Sequence, residues 1–475
     1  MKIAFLHYHL KPGGVTQVID QQVQALSKHA EMLLLTGAAP ESPVSVEYRV
    51  IPGIGYDTPE KRTGDHAPSP RQIADQIIRE IHNKWSDGCD ILHVHNPLLA
   101  KNQQFLKILS WLQLDGLRLL LQIHDFAEDG RPGSYYSGQA YPENCHYCVI
   151  NGRDRDILLR SGLIREGLHF LPNMVDPFKP ASENTIDQKF VLYPVRAIRR
   201  KNIGEAILLS CFFESGTKLA ITLPPTSQPD WPPYNTWKGF VKTNDLPVIF
   251  EASRKYDFKA LVQSAESMIT TSITEGFGFA FVEPWTAGQF LAGRRLPKIC
   301  RDFEKNGLCL DHLYDRLSVP LAAFAENRFF NKWTRCIQTN SRRFGVQLNH
   351  QTILKAYEDL TRDRTIDFGL LDEASQREVL SRTLSDTGIY QKIYRDNPAL
   401  DYLTDVYGRD ERISKNRTAV MANYSLPAYQ KHLSAVYNNV QQTDVVQRID
   451  KTRLAMEFLH PETFSLLKWI DNEPY

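Results

Sequence analysis

Short apolar segments alternate with amphipathic helical segments through about the first 175 residues, pause, and then begin again. Strand, helix, strand repeated in this way implies a parallel sheet covered on both faces, and leaves few other folds open. "MKIAFL" (1–6) reads as a buried strand. Val15, Val18, Ile19, Val23 and Leu26 then recur at spacings of three and four, so a helix is expected over 15–28. Strands follow at 31–37, 89–96, 117–125, 146–152 and 168–176, with helices at 70–85, 103–114 and 153–161 between them. Residues 52–70 read as a loop rich in Pro, Gly and charge, and polar 177–188 as a hinge. Alternation restarts with strands at 189–195, 218–224, 246–252 and 267–273, helices at 202–213 and 257–264, and a helix starting near Phe279. The expectation is an α/β chain with two Rossmann-like domains, 1–178 and 186–320. Residues 321–475 read as a helical extension without a clear strand, in which the charge run "GRDERISKNR" (408–417) is a solvated loop.

Composition removes several functional classes. Lys plus Arg total 56 against 55 Asp plus Glu, which gives no support for bulk nucleic-acid binding. No apolar run approaches the ~20 residues of a membrane-spanning helix. The short apolar start is followed by His, Lys and Pro, unlike a secretory leader. Seven cysteines, an odd number, suggest reduced thiols and a cytoplasmic protein. "CHYC" (145–148) lacks a second pair at zinc-site spacing, so a packing role is expected.

Two stretches carry chemistry. In "HLKPGGVTQVI" (9–19) Gly13 and Gly14 stand between a strand and a helix, where glycine permits positive φ or the close approach of a ligand. In "TTSITEGFGFAFVEPWTAG" (270–288) Glu275 and Glu283 stand eight residues apart around Gly276, Phe277, Gly278 and Phe279. A strand ends, glycines turn the chain, and a helix is expected to begin with its N–H groups facing an anion. Glu283 then lies on the helix, able to accept two hydrogen bonds from a diol, and Glu275 reaches another part of the same ligand. Amides for phosphates, one carboxylate for a ribose and one for a sugar describe a nucleotide-sugar site. His93 and His95 are read as pointing to opposite faces of their strand, one toward a ligand, with a metal pair disfavoured. The D-x-D within "RDRD" (153–156) opens a helix, where acidic residues suit the dipole better than a metal.

The 270–288 stretch resembles the E-x7-E signature of retaining GT-B glycosyltransferases of family GT4. Other segments similar to that family stand in the same order: "PGGVTQVI" (12–19), "DILHVHNP" (90–97), "LLLQIHDF" (119–126), "LPNMVD" (171–176), "YPVRAIRRKN" (193–202) and "YSLPAYQKHLSAVYNNV" (424–440). The resemblance implies a GT-B fold, with two Rossmann-like domains facing across a cleft, donor side C-terminal and acceptor side N-terminal. It implies that Arg196 and Lys201 grip the donor diphosphate beside Gly13 and Gly14. It places His124 and Glu275 at the reacting sugar, and Gly276, Phe277, Gly278, Phe279 and Glu283 against the donor.

The activity so implied is retaining transfer of a hexose from a UDP- or GDP-linked sugar to a hydroxyl acceptor. The acceptor is expected to be small and soluble, and no metal or other cofactor is expected. The leaving diphosphate meets protein cations in place of a divalent ion, and the reaction proceeds on the front face, since no carboxylate is placed as a nucleophile. Loop 52–70 and the aromatic stretch 131–147 are expected acceptor walls. A phosphorylase or sugar-nucleotide epimerase, and a non-catalytic sugar-nucleotide-binding protein, are the alternatives. The helices at 320–420 are expected on the second domain, there to cover it, to form a homodimer interface or to close over the acceptor. Residues 440–475 are expected against the first.

Overall fold

The computed structural model describes residues 1–57, 68–180, 186–405 and 407–469. Parts of the 52–70 loop (58–67) and of the 177–188 hinge (181–185) lie outside the described residues. The chain forms two compact units: Met1–Met174 with Tyr424–Phe458, and Val175–Asn423 with Leu459–Tyr475.

The first unit is built on β1 (Lys2–His7), β2 (Glu31–Thr36), β3 (Tyr48–Val50), β4 (Ile91–His95), β5 (Leu119–Ile123), β6 (His146–Val149) and β7 (Leu168–Phe170). Their order is β3-β2-β1-β4-β5-β6-β7 and every pairing is parallel. β4 and β5 are buried at every residue, as strands covered on both faces must be. Chain order reverses between β1 and β4, so a ligand crevice is expected at their carboxyl ends. Helix Gly14–Leu26 buries Val18, Ile19, Val23 and Leu26. It shares a core with Tyr429, Leu433, Val436, Tyr437 and Val440 of helix Leu426–Gln442. Burial of that helix's apolar face is worth roughly 1.5–3 kcal/mol per large side chain. The chain then runs along the 142–167 region: Gln447 donates to the carbonyls of Cys145 (2.7 Å) and Gly167 (3.1 Å), and Arg160 pairs with Glu457 at 2.7 Å.

The second unit repeats the plan with β8 (Phe190–Arg196), β9 (Lys218–Leu223), β10 (Val248–Ile249), β11 (Ser267–Thr270) and β12 (Leu291–Gly293), parallel in the order β10-β9-β8-β11-β12. Its reversal falls between β8 and β11. A buried network fixes this sheet to its helices. The Arg294 guanidinium donates to both Glu205 oxygens at 2.8 and 2.7 Å and to both Asp367 oxygens at 2.8 and 2.7 Å, and Tyr314 donates to Glu205 at 2.7 Å. Every charge there has an opposite partner, the condition under which buried ions are tolerated. The helices of 326–423 belong to this unit, and residues 459–469 return to it. There Trp333 Nε1 donates to the Phe464 carbonyl at 3.0 Å.

Three readings of the C-terminal half are corrected. Ser318–Pro320 and Thr365–Asp367 form a short antiparallel pair where the sequence pattern predicts no strand. The charge run at 408–417 is the start of helix Arg409–Asn423, not a loop. Arg409 covers the Phe290 ring at 4.7 Å, and Asn416 bonds both backbone groups of Cys309 at 2.7 and 3.1 Å. Polar residues dock the helix here, and hydrophobic periodicity could not reveal it. The helix expected near Phe279 is a 3-10 turn, Phe279–Phe281, followed by a four-residue helix, Glu283–Thr286. Val282, at φ −124, breaks the two apart.

Candidate functional site

In the second unit the reversal point gathers most of the residues singled out in the sequence. β8 ends at exposed Arg196, whose Nη1 reaches, among the described residues, only the Pro224 carbonyl, at 3.4 Å. A 3-10 turn, Arg199–Lys201, leads to Asn202 in the left-handed conformation (φ 50). Thr271, just past β11, donates to the carbonyls of Lys201 (3.1 Å) and Asn202 (3.0 Å). The Ile273 N–H donates to the Arg200 carbonyl at 3.0 Å. The two loops are thereby stitched side by side. Across the seam Lys201 Nζ forms an ion pair with Glu275. Burial pushes the Glu275 carboxyl up, but Lys201 and then Arg200 outweigh it and hold the group below the usual carboxylate range. Arg199 points its charge elsewhere, to Glu373 at 2.6 Å.

The glycine turn differs in its details from the expectation. Gly278 is left-handed (φ 94), and a Cβ there would meet the Phe281 ring at 2.9 Å, so only glycine fits. Phe277 is buried and packs edge-on against Phe279 (4.9 Å) and Phe303 (5.4 Å), so its side chain is a core anchor. With no long helix following, the dipole assigned to this corner is reduced to local N–H groups. Glu283 heads the short helix and is open to solvent. Its carboxyl is nevertheless crowded by protein on its other sides. That desolvation, with the like charge of Asp176, pushes it up to about 7, against the pull of Lys201.

The first unit holds the remaining residues. Gly13 is extended (φ 175) and neither it nor Gly14 lies in the left-handed range, so the turn does not demand glycine for its conformation. What these glycines leave is room: a Cβ on Gly14 would meet nothing within 4 Å. His124 follows β5. Its backbone N–H and that of Asp125 donate to the Asn96 side chain at 3.2 and 3.1 Å. Its ring lies against His95, with Nε2 3.0 Å from His95 Nδ1. His93 and His95 stack at 4.5 Å. The opposite-face reading is therefore wrong, because strand residues two apart share a face. Burial depresses all of these rings: His124 to about 4, with Asp125 opposing, and His93 to about 3. His95 Nε2 is buried without a partner among the described residues, so its proton is better placed on Nδ1, where it is donated to His124. That assignment puts the His124 proton on Nδ1. Sequence reasoning misses Arg200 as a partner of Glu275 and His95 as a partner of His124, since only the fold brings either pair together.

Among the described residues no group of three or more His, Cys, Asp or Glu side chains is arranged to hold a metal. Asp154 of the D-x-D is buried, bonded to Asn151 at 2.7 Å and to Arg153 at 2.8 Å. Among the described residues no helix is long and apolar enough to cross a membrane.

No family model matches the sequence. Mannosylglucosyl-3-phosphoglycerate synthase of Petrotoga mobilis is 25% identical over 484 residues, covering 92% of this chain and 90% of that protein. Among solved structures, a glycosyltransferase from Rickettsia africae matches with a TM-score of 0.53 at 12% identity, over 93% of this chain and 99% of that one. HepE of Anabaena, solved with UDP-glucose, matches with a TM-score of 0.52 at 11% identity, over 92% and 99%. Sucrose-phosphate synthase of Thermosynechococcus elongatus matches with a TM-score of 0.50 at 14% identity, over 92% and 98%. The fold is GT-B. Both halves of that fold carry their reversal points where the chain concentrates histidine, arginine, lysine and glutamate.

Proposed function

We propose that this chain is a retaining, metal-independent glycosyltransferase of the GT4 type. It moves a hexose from a nucleoside-diphosphate sugar to a hydroxyl acceptor. The observation that carries the reading is the Lys201–Glu275 pair beside exposed Arg196 and the left-handed Gly278 turn, at the reversal point of the second sheet. A leaving diphosphate develops negative charge, and preorganised cations stabilise it without reorganising at the moment of reaction. Arg196 carries no carboxylate partner among the described residues. Lys201 is held by Glu275 and is shared with the diphosphate when donor binds. Charge-assisted hydrogen bonds are worth roughly 1.5–3 kcal/mol, so loss of either cation lowers turnover about ten- to a hundred-fold.

Glu275 then orients a sugar hydroxyl, and Glu283 accepts the ribose diol. A diol donates to the ionised carboxylate, so binding pulls Glu283 down from its raised value. His124, neutral and protonated on Nδ1, acts as a hydrogen-bond donor to the sugar rather than as an acid. A leaving-phosphate oxygen takes the acceptor proton on the same face that the leaving group departs from, and the configuration is retained. The Petrotoga relative is named for a glycoside of phosphoglycerate, and a phosphorylated acid is accordingly the acceptor class to try first. The test is thermal unfolding against UDP-, GDP- and ADP-sugars. A ligand at a hundred times its Kd stabilises by about 2.7 kcal/mol, a readily measured shift for one nucleotide and not the others. No shift with any nucleoside diphosphate overturns the proposal.

A further inference from the structure

The loop after β4 is pinned on both sides, and what it holds out is a lysine. Asn102 Nδ2 donates to the carbonyls of Gly53 (2.8 Å) and Gly55 (2.9 Å), and the Asp57 N–H donates to Lys101 O at 2.8 Å. From the other side, Tyr136 donates its hydroxyl proton to Asn102 O at 2.8 Å, and the Ala100 N–H donates to Ser134 O at 2.8 Å. Lys101 is half-buried, its ammonium 5.9 Å from the centre of the Tyr56 ring. Among the described residues that ammonium has no hydrogen-bond or ion-pair partner. Burial depresses its pKa, the neighbouring Arg131 depresses it further, and Asp125 opposes. Arg131 pairs with Asp125 at 2.7 Å. Two cations thus share one carboxylate beside His124, at the carboxyl ends of β4 and β5.

The 131–141 segment that carries Arg131 is itself braced. Lys451 donates to the carbonyls of Tyr136 and Gln139, the latter at 2.8 Å, and lies over the rings of Tyr135 (4.1 Å) and Tyr141 (4.5 Å). Two cations facing one carboxylate leave an excess of positive charge in a half-buried place, which an anion would complete. Backbone pinned from both sides fixes the point from which the Lys101 side chain projects.

We infer that Lys101 and Arg131 bind the anionic group, phosphate or carboxylate, of a small acceptor, with Tyr56 against its body. The inference rests on the transferase reading above and adds the residues that select an anionic acceptor. A charge-assisted hydrogen bond from Lys101 to such a group corresponds to about a ten- to a hundred-fold gain in affinity. Calorimetry on the full chain, with D-3-phosphoglycerate, D-glycerate, inorganic phosphate and neutral glycerol as probes, tests it. The expected result is binding of 3-phosphoglycerate that Lys101→Gln weakens at least tenfold, that Lys101→Arg largely restores, and that falls with added salt. Phosphate bound while glycerate is not identifies the phosphate as the recognised group, and the reverse identifies the carboxylate. UDP affinity stays unchanged in Lys101→Gln, and an unchanged urea unfolding midpoint shows that the first unit, which carries Lys101, is folded in the variant. No binding of any anionic probe to the wild type, or equal binding to Lys101→Gln, overturns the inference. Nucleotide-sugar binding that persists in that case leaves the transferase reading standing, whereas absence of nucleotide binding overturns that reading on its own.

Discussion

Removing Lys201 strands a carboxylate. Glu275 and Lys201 are both largely covered, with side chains 10% and 17% exposed, and Arg200 is the remaining cation that acts on Glu275. Breaking a buried pair by deleting one partner costs about 3–5 kcal/mol; partial exposure here brings the expectation for Lys201→Met to about 2–3 kcal/mol. In a unit of this size that is a fall in Tm of roughly 4–10 °C. The sign of the pH dependence discriminates the cause. In the wild type Glu275 titrates below its unfolded value, so its contribution is full above that value and is lost as pH falls through the folded pKa. Without Lys201 the burial contribution, which pushes up and is the largest, faces only Arg200 and the hydrogen bond from Ser272. The carboxyl then gains a proton on folding, and the deficit relative to wild type is largest at neutral pH and shrinks in acid. Glu275→Gln leaves a lysine that reaches water more easily, and costs less. Thermal unfolding of both variants at pH 5 and pH 8 measures this. A Lys201→Met deficit no larger at pH 8 than at pH 5 refutes the account of the pair.

Three further outcomes follow from the geometry. Glu283→Ala weakens free UDP or GDP binding by about tenfold, whereas Glu275→Gln keeps or improves it by releasing Lys201, and loses turnover; calorimetry and initial rates distinguish the two. Gly278→Ala forces a Cβ into the Phe281 ring at a left-handed position and lowers Tm through about 1–3 kcal/mol of strain, with donor binding lost alongside. The His7, His93 and His124 rings titrate at about 3, 3 and 4, below their ordinary value. The unfolded chain therefore binds more protons below pH 6.5, and stability of the first unit falls as pH drops from about 6.5 toward 4; urea midpoints across that range check it.

Much of the fold was legible because parallel strands buried on both faces are nearly continuous apolar runs, as in "LLLQI" of β5. Elements that escaped were short or polar. β12 and the Ser318–Pro320 strand have three residues each, too few to show a period. Helix Trp231–Thr243 opens with two prolines that read as breakers, yet they occupy its first turn, where the missing N–H groups have no helical partner to lose. At the candidate site, the spacing of Glu275 and Glu283 and the glycines between them marked the loop. The pairing of Lys201 with Glu275, 74 residues apart, depends on β8 lying beside β11 and has no local signal. For the same reason the His95–His124 contact and the Lys101–Arg131 neighbourhood became visible only once β4 was set beside β5.

The central claim is that protein cations, not a metal, support departure of a nucleoside diphosphate with retention at the sugar. Its most direct measurement is incubation with α-linked nucleotide sugars and 3-phosphoglycerate-type acceptors in excess EDTA, following nucleoside diphosphate release and reading the anomeric configuration of the product by NMR. The account predicts release of diphosphate and an α-linked glycoside at an undiminished rate. A β-linked product, or a rate abolished by EDTA and restored by Mg²⁺ or Mn²⁺, contradicts it.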